Sequence, residues 1–470
     1  MHQFHHQNRL IDMKNIYYLL FVLLGTYGCA VGPKYARPET QKPALYVQAA
    51  AQTDSVTNLK WWEVYQDSLL QSLIQTAIDS NLDLMTAVYR VEEAKAILGY
   101  NKANLYPFLD YSAIGRTTEF RNKSEQAGVT FSQNMVGLLG NVSWEIDLWG
   151  KLRHANRAAF AELMATEESK KSLYISLVAQ VAELYFRLRG LDERLEIARR
   201  AYETRLEYLE IITARFEKGN VSELDKLQAQ QIAASAKAQI YSLERNIIQT
   251  ENALNILLGR FYSPIKRGLE NDYQVLPLEI PIGLPSELLE RRPDIRLAEQ
   301  QLIAQTERIG VAVALRFPSL SLTGILGVAS PQISTLFGSQ AVLGIVTGQL
   351  AGPFFRFGQN KRRVESERAK ASQLGFQYEK TILMAFAEVE NSLAEIRTYS
   401  NEFDARQTQA AATEKSLMLS KALYDNGYTS FLQVLDAERE YFNAAYEKSL
   451  ALENQLVSTV RLYKALGGGW

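Results

Sequence analysis

Thiols are all but absent: this chain of 470 residues has one cysteine, Cys29. That excludes an intrachain disulfide and any thiolate metal cluster, which needs several sulfurs. Histidine is nearly as scarce. Of the four, His2, His5 and His6 crowd the N-terminus, and His154 alone lies in the body of the chain. A cysteine nucleophile wants an imidazole partner, so catalysis by Cys29 is a poor reading. His154 follows a strand-to-helix junction and reads as a solvated or capping side chain rather than a ligand. The sequence has no glycine-rich phosphate loop, no metal-spaced His/Cys set and no nucleophile elbow. An enzyme is not expected, nor a cofactor, nor a bound metal. An excess of one charge is missing too. The 51 Lys and Arg offset 52 Asp and Glu to a net charge of −1, so no strong field favours nucleic acid. Nor is there a long apolar run. Ile16 to Leu24 is about half the ~20 residues that a membrane-spanning helix needs.

What surrounds Cys29 gives it a purpose. Met13-Lys14-Asn15 opens a short basic segment, the apolar run follows, and Gly28 directly precedes the cysteine. This is the layout of a secretory signal, with Met13 a cleaner start than Met1. The pattern resembles a bacterial lipoprotein signal, in which the cysteine becomes residue one and carries lipid. Because Cys29 is unique and well placed, lipidation is preferred to ordinary cleavage that leaves a free thiol.

Beyond the signal the chain is written twice. "NLDLMTAVYRVEEAKAILGYNKANLYPFLDYS" from Asn81 aligns without a gap on "RPDIRLAEQQLIAQTERIGVAVALRFPSLSLT" from Arg292. Asp83 meets Asp294, Gly99 meets Gly310 and Pro107 meets Pro318. "FEKGNVSELDKLQAQ" echoes "YDNGYTSFLQVLDAE", placing Gly219 on Gly427 and Ser222 on Ser430. The repeat of roughly 200 residues is too long for a solenoid and marks a duplicated domain. The boundaries expected are a signal over 1–28, an extended lipid-anchored segment over 29–65 and repeat 1 over 66–259 with a β-hairpin at 107–149. A crossover over 260–284 and repeat 2 over 285–470, with a β-hairpin at 317–355, complete the chain.

Two rhythms alternate within each copy. Leu177, Leu184, Leu191 and Ala198 recur every seven residues, and Val181, Leu188, Leu195, Tyr202 and Leu209 interleave with them. Such a heptad is the seam of packed long helices. Lys151 to Arg215 lacks proline, and about 65 helical residues reach roughly 100 Å. The second long helix is expected at 358–426. Shorter helices are expected over 221–258, 286–317, 65–105 and 429–466. Between them the period falls to two. Val136, Leu138, Val142, Trp144, Ile146 and Leu148 alternate with Leu139, Asn141, Ser143, Glu145 and Asp147, so one face is apolar and the other polar apart from Leu139. Residues 108–120 supply its partner, and 317–328 and 341–352 supply a second pair. Each strand is about the length of a tilted membrane strand. Tyr106, Phe108, Trp144, Trp149, Phe317, Phe354, Phe355 and Phe357 flank the strands as an interfacial girdle would. Four strands cannot close alone, and open edges cannot survive in hydrocarbon. Several chains must therefore complete one barrel, and three would give 12 strands.

These residues resemble a known family, the TolC-like outer membrane factors, and within it the lipid-anchored branch similar to the OprM efflux channel. The resemblance runs from Cys29 to the C-terminus. It is carried by "CAVGPKYARP", "WW", "ELLERRPDIRLAEQQL" and "YDNGYTSFLQVLDAER". It implies a mainly α fold with a transmembrane β-barrel. Each chain would hold a duplicated unit of long helices plus two hairpins. The homotrimer would form a 12-stranded barrel on an α-helical tunnel. It further implies the outer membrane channel of a tripartite efflux pump, anchored among outer membrane lipids and extending into the periplasm. A periplasmic adaptor (membrane fusion) protein and an inner-membrane transporter such as an RND pump would dock on it. The cargo would be drugs or other small toxic compounds. Type I protein secretion and metal efflux use the same scaffold and stay open as alternatives. A structural periplasmic coiled-coil lipoprotein explains the heptads but not the strands.

Gly219 and Gly427 suit helix stops, with Ser222 and Ser430 as the following N-caps, so these turns mark the tunnel tip. The resemblance implies that Leu432 and Asp436, four apart on one helix face, narrow that tip as a periplasmic gate. Tyr424 would lock the closed state by bonding to a neighbouring helix. The bland reading of Asp436 is a solvated side chain paired with Arg439. The first copy has Leu224 and Gln228 at these places and lacks the charge.

Overall fold

The computed structural model describes residues 30–39, 46–47, 60–121, 130–274 and 285–468. Repeat 1 holds α1 (Trp61–Val64), α2 (Ser68–Ser80), α3 (Leu82–Ala103), β1 (Phe108–Arg121), β2 (Thr130–Ile146), α4 (Lys151–Glu217) and α5 (Glu223–Leu257). Repeat 2 holds α6 (Pro285–Arg291), α7 (Pro293–Ala314), β3 (Ser319–Ser330), β4 (Val342–Ala351), α8 (Gln359–Asp425) and α9 (Phe431–Ala465). Duplication is visible in the helix lengths. Helices α3 and α7 have 22 residues each, α4 and α8 have 67, and α5 and α9 have 35. No described helix is long and apolar enough to cross a membrane.

Two expected helices are each broken once, at the same point of the two copies. The helix expected over 65–105 stops at Ser80 and restarts at Leu82. Asn81 adopts an extended backbone there, and its side-chain oxygen accepts the N–H of Leu84 as an N-cap does. The helix expected over 286–317 splits at Arg292. Pro293 is the reason, because a proline ring disfavours helical backbone in the residue before it.

The chain divides into two compact units. The first comprises residues 1–39, 91–166 and 297–378, and the second 40–90, 167–296 and 379–470. The first contains the sheet, an antiparallel meander in the order β1-β2-β3-β4. Its register pairs Leu109 with Val142, Val142 with Gly324 and Gly324 with Val346. Residues directly opposite one another share a face, so the register sorts every side chain. One face carries Leu109, Tyr111, Val136, Leu138, Val142, Trp144, Ile146, Leu320, Leu322, Leu326, Val328, Val342, Val346 and Leu350. The other carries Asp110, Ser112, Arg116, Asn141, Ser143, Glu145, Ser321, Thr323, Thr347 and Gln349. Ile114, Met135, Leu139, Ile325, Leu343 and Ile345 are apolar exceptions on this second face, and Leu139 is buried. It lies over its partner Gly327, where a Cβ would come within 3.0 Å of Leu139 Cδ2.

Below the strands the unit is pinned by indole groups. Trp149 stacks on Phe317 with ring centroids 4.7 Å apart and donates to Pro318 O at 2.7 Å. Trp144 donates to Leu105 O at 3.1 Å. The extended segment just after Cys29 is bound to the same unit. Val31 N donates to Trp149 O at 3.1 Å, Tyr35 donates to Glu299 at 3.0 Å, and Arg37 clasps Glu299 with two bonds of 2.6 and 2.7 Å.

The second unit is built on the heptad seam. Leu177, Val181, Leu188, Leu191 and Ala198 are buried against Leu70, Ile74, Leu243, Leu254 and Val460. Each fully buried Leu or Val contributes about 1.5–3 kcal/mol, which offsets the entropy of ordering so long a helix. The crossover after α5 is held by one carboxylate. Asp67 caps α2 through Leu69 N at 2.8 Å and Leu70 N at 3.3 Å. Its other oxygen accepts Tyr185 Oη at 2.6 Å, Leu269 N at 3.0 Å and Gln274 Nε2 at 3.0 Å. Gly268 permits this approach, since a Cβ there would stand 2.5 Å from Tyr185 Oη and 2.6 Å from both carboxylate oxygens.

Candidate functional site

Both expected turns are present and built alike. Gly219 and Gly427 adopt φ of +76° and +79°, the left-handed region that glycine enters without strain. Each closes its long helix through a backbone bond, Gly219 N to Phe216 O at 2.8 Å and Gly427 N to Tyr424 O at 2.9 Å. The two serines then diverge. Ser222 caps α5 in a reciprocal box with Asp225. Ser430 occupies the N-cap of α9 but makes no capping bond with its side chain. The capping box needs an acceptor three residues on, and Gln433 is instead engaged by Thr429.

Tyr424 does bond to a neighbouring helix. Its hydroxyl accepts from Arg215 of α4, whose guanidinium lies 5.1 Å from the Tyr424 ring centre. Behind this contact sits a small apolar cluster of Ile212, Ala229, Phe431, Val434 and Leu435, with Tyr208 and Tyr424 packed on it. Leu432 and Asp436 point the other way. Leu432 is 54% exposed, and Asp436 is paired at 3.1 Å with the exposed Arg439. The pair is of the weak surface kind, worth a few tenths of a kcal/mol. Leu432, Asp436, Arg439 and Asn443 form one exposed stripe, while Phe431, Leu435 and Glu438 form the buried one. In the first copy Leu224 and Leu227 are likewise exposed.

Two buried ion pairs join α4 to α9, and the sequence reading passed over both. Arg205 bonds Glu438 at 3.0 Å, and Arg194 bonds Glu453 at 2.7 Å. Arg205 stands seven residues after Ala198, in the very seam traced by Leu177, Leu184 and Leu191. A charge in an apolar heptad slot was the available signal.

His154 is not solvated. It is buried, and Nδ1 lies 2.5 Å from Glu307, which also accepts from Arg157. A Cβ on Gly310 would stand 2.4 Å from the imidazole, so the ring fills the gap that this glycine leaves. Among the described residues no group of three His, Cys, Asp or Glu could hold a metal ion. Cys29 lies outside the described residues, which begin one position later at Ala30.

Comparison with known proteins agrees with this geometry. The family model "Outer membrane efflux protein" matches residues 73–260 and 284–468. The solvent efflux pump outer membrane protein SrpC of Pseudomonas putida is 34% identical, over 96% of this chain and 97% of its own. The cation efflux system protein CusC of Escherichia coli O157:H7 is 31% identical over 96% and 97%. Among solved structures, the outer-membrane channel OprN superposes with a TM-score of 0.88 at 28% identity, covering 94% of this chain and all of that one. The Campylobacter jejuni CmeC outer membrane channel gives 0.87 at 28% identity, covering 94% and 95%. Long helices and a four-stranded antiparallel sheet of this kind define an outer membrane efflux channel, not an enzyme. The chain belongs to the outer membrane efflux protein family.

Proposed function

We propose that this chain is the exit duct of a tripartite efflux pump, assembled as a homotrimer. The observation that carries the reading is the sheet. Its apolar face is continuous across four strands, with Leu326 70% and Val346 87% exposed in the single chain. Among the described residues, the outer edges of β1 and β4 have no strand partner. Such a face suits lipid, but open edges do not. Edge-to-edge pairing of three chains removes every open edge and gives 12 strands around a lumen lined by the polar face. The signal over 1–28 is cleaved, and Cys29 carries the lipid. The contacts of Val31, Tyr35 and Arg37 fasten the anchor's base to the strand-bearing unit. Several acyl chains plus a barrel hold firmly where one chain would not.

The Gly219 and Gly427 turns form the tunnel tip that a periplasmic adaptor and an inner-membrane transporter meet. Three copies of Leu432 make an apolar ring there and three of Asp436 an acidic one, favouring cations in a narrow pore. The exposed stripe of α9 supports this placement, since an apolar Leu432 left in water wants a partner surface. Tyr424 and Arg215 brace the closed arrangement from behind. Relatives named for solvent and for cation efflux match this chain over nearly its whole length. The cargo, a small toxic compound, is therefore chosen by the pump partner rather than by the duct.

The test of the tip is Leu432→Ala combined with Asp436→Ala. Bilayer conductance and uptake of a large antibiotic such as vancomycin should both rise. Unchanged values with an intact trimer would assign Asp436 to its surface pair with Arg439.

A further inference from the structure

The strand-bearing unit contains a cavity of about 540 Å3 among α3, α4, α7 and α8, close to where these helices meet the sheet. Its floor is Ala158 and Ala159 of α4 and Ala312 of α7, all buried. Ile97 of α3 and Val311 of α7 wall it. Small residues by themselves mark only close helix packing. Here they leave the space between four helices unfilled, and its volume lies within the ~300–1,000 Å3 of small-molecule sites.

The rim is charged, and its charges are nearly all engaged. Glu162 is paired with Arg308. Glu367 accepts from Lys370 Nζ at 2.9 Å and from Gln305 Nε2 at 2.6 Å. Burial alone would raise the Glu367 carboxyl, but bonds from Lys370 and Gln305 outweigh it and hold the group below its ordinary range. Arg363 differs. It is exposed, and it has no hydrogen-bond or ion-pair partner among the described residues. Three bases, Arg308, Arg363 and Lys370, against two acids, Glu162 and Glu367, leave the lining one positive charge in excess. A guanidinium stays charged at any working pH and offers a planar fork that matches an oxyanion.

The cavity lies on the polar side of the unit. Lys151 bonds Glu145, a side chain of the sheet's polar face. Ala155, Ala158 and Glu162 stand four, seven and eleven residues further along α4, on the same side of that helix. On α7, Arg308, Val311 and Ala312 line the cavity, while Glu299 and Gly310 lie on the opposite side of the helix. Those two meet the segment after Cys29. Glu299 bonds Tyr35 and Arg37, and a Cβ on Gly32 would stand 2.8 Å from Gly310 Cα. A ligand therefore comes from the polar side and not from the side of the anchor.

We propose that this cavity is a wall site for a small organic anion, with an apolar body over the alanine floor and a single carboxylate or sulfonate on Arg363. This rests on the reading that the polar face of the sheet lines the duct. Such a site delays a passing solute and leaves its selection to the pump partner.

The probe is naphthalene-1-sulfonate. Its binding to the full-length protein in phosphatidylcholine nanodiscs is measured by equilibrium dialysis, with empty discs as the blank. Naphthalene-1-methylammonium and inorganic sulfate are measured beside it. The site predicts saturable binding of the sulfonate and at least about tenfold weaker binding of the other two. Arg363→Gln should weaken the sulfonate about tenfold, Arg363→Lys should recover part of the loss, and Ala155→Leu should shut the probe out. Arg362→Gln removes the same charge one residue away, outside the cavity lining, and should bind as the wild type does. Both arginines are exposed, so neither change asks the fold to repack. No saturable binding, equal affinity for the ammonium or for sulfate, or equal losses in Arg362→Gln and Arg363→Gln would overturn the site. Single-channel recording on Leu432→Ala/Asp436→Ala protein then separates the site from the duct. Reversible current blocks that vanish with Arg363→Gln support both. Binding in dialysis without such blocks keeps the site and removes the reading that the polar face lines the duct.

Discussion

Replacing Asp67 with alanine strips five donors of their acceptor at one stroke. Loss of the α2 N-cap costs about 1 kcal/mol. The Tyr185 hydroxyl and the Leu269 N–H are then left without their carboxylate, at about 1–3 kcal/mol for each buried donor. The expected destabilisation is about 3–7 kcal/mol, localised where α2, α4 and the crossover meet. Hydrogen exchange in detergent reads it directly, because local opening sets the amide rate. Amides between Tyr262 and Gln274 should exchange at least about 100-fold faster, at ~1.4 kcal/mol per tenfold. Asp67→Asn, which keeps one acceptor oxygen, should fall between. The pH dependence has a definite sign. Burial alone would raise the Asp67 carboxyl, but bonds from Tyr185, Gln274, Leu69 N and Leu269 N outweigh it and hold the group below its ordinary 3.8. A depressed carboxyl stabilises the fold fully above its unfolded value and loses that contribution as pH falls through the folded value. Wild-type protection should therefore be flat from pH 7 to about 4 and decline below, while Asp67→Ala shows no such decline. Unchanged exchange of the crossover in Asp67→Ala would refute the assignment of this carboxylate as its tether.

Two further outcomes follow from the sheet and the anchor. Leu326→Arg puts a charge on the apolar face and should cost up to about 2–4 kcal/mol in lipid, seen as loss of heat-modifiable trimer on gels, whereas Thr323→Arg on the polar face should assemble normally. Labelled palmitate should enter the wild type and not Cys29→Ser, which keeps partial function because the barrel anchors independently; equal labelling of both would remove the lipid.

Strong periodicities carried the fold. Seven-residue spacing from Leu177 to Ala198 and two-residue spacing from Val136 to Ile146 arise from burial on one side only, and burial is what a sequence records best. The turns were legible because glycine at positive φ has few substitutes. The break at Asn81 was not, since a polar residue within an amphipathic run looks like any solvated position until its side chain is seen to cap. Pro293 did carry a signal, yet proline is also welcome in the first turn of a helix, and it opens α7 in that role. Ser430 stands at the N-cap as its type suggests, yet its side chain makes no capping bond, which residue type alone does not show. Asp67 and Glu438 stayed hidden for another reason. Their partners lie 118 and 233 residues away in the chain, and no local pattern reports such a meeting.

The central claim is that open-edged sheets from three chains close into one conducting barrel. Mass measurement of the detergent-solubilised protein, taken with single-channel recording from the same sample, tests it most directly. The account predicts a species of three chains that conducts in planar bilayers and widens with Leu432→Ala/Asp436→Ala. A stable monomer, or a trimer that never conducts, would contradict it.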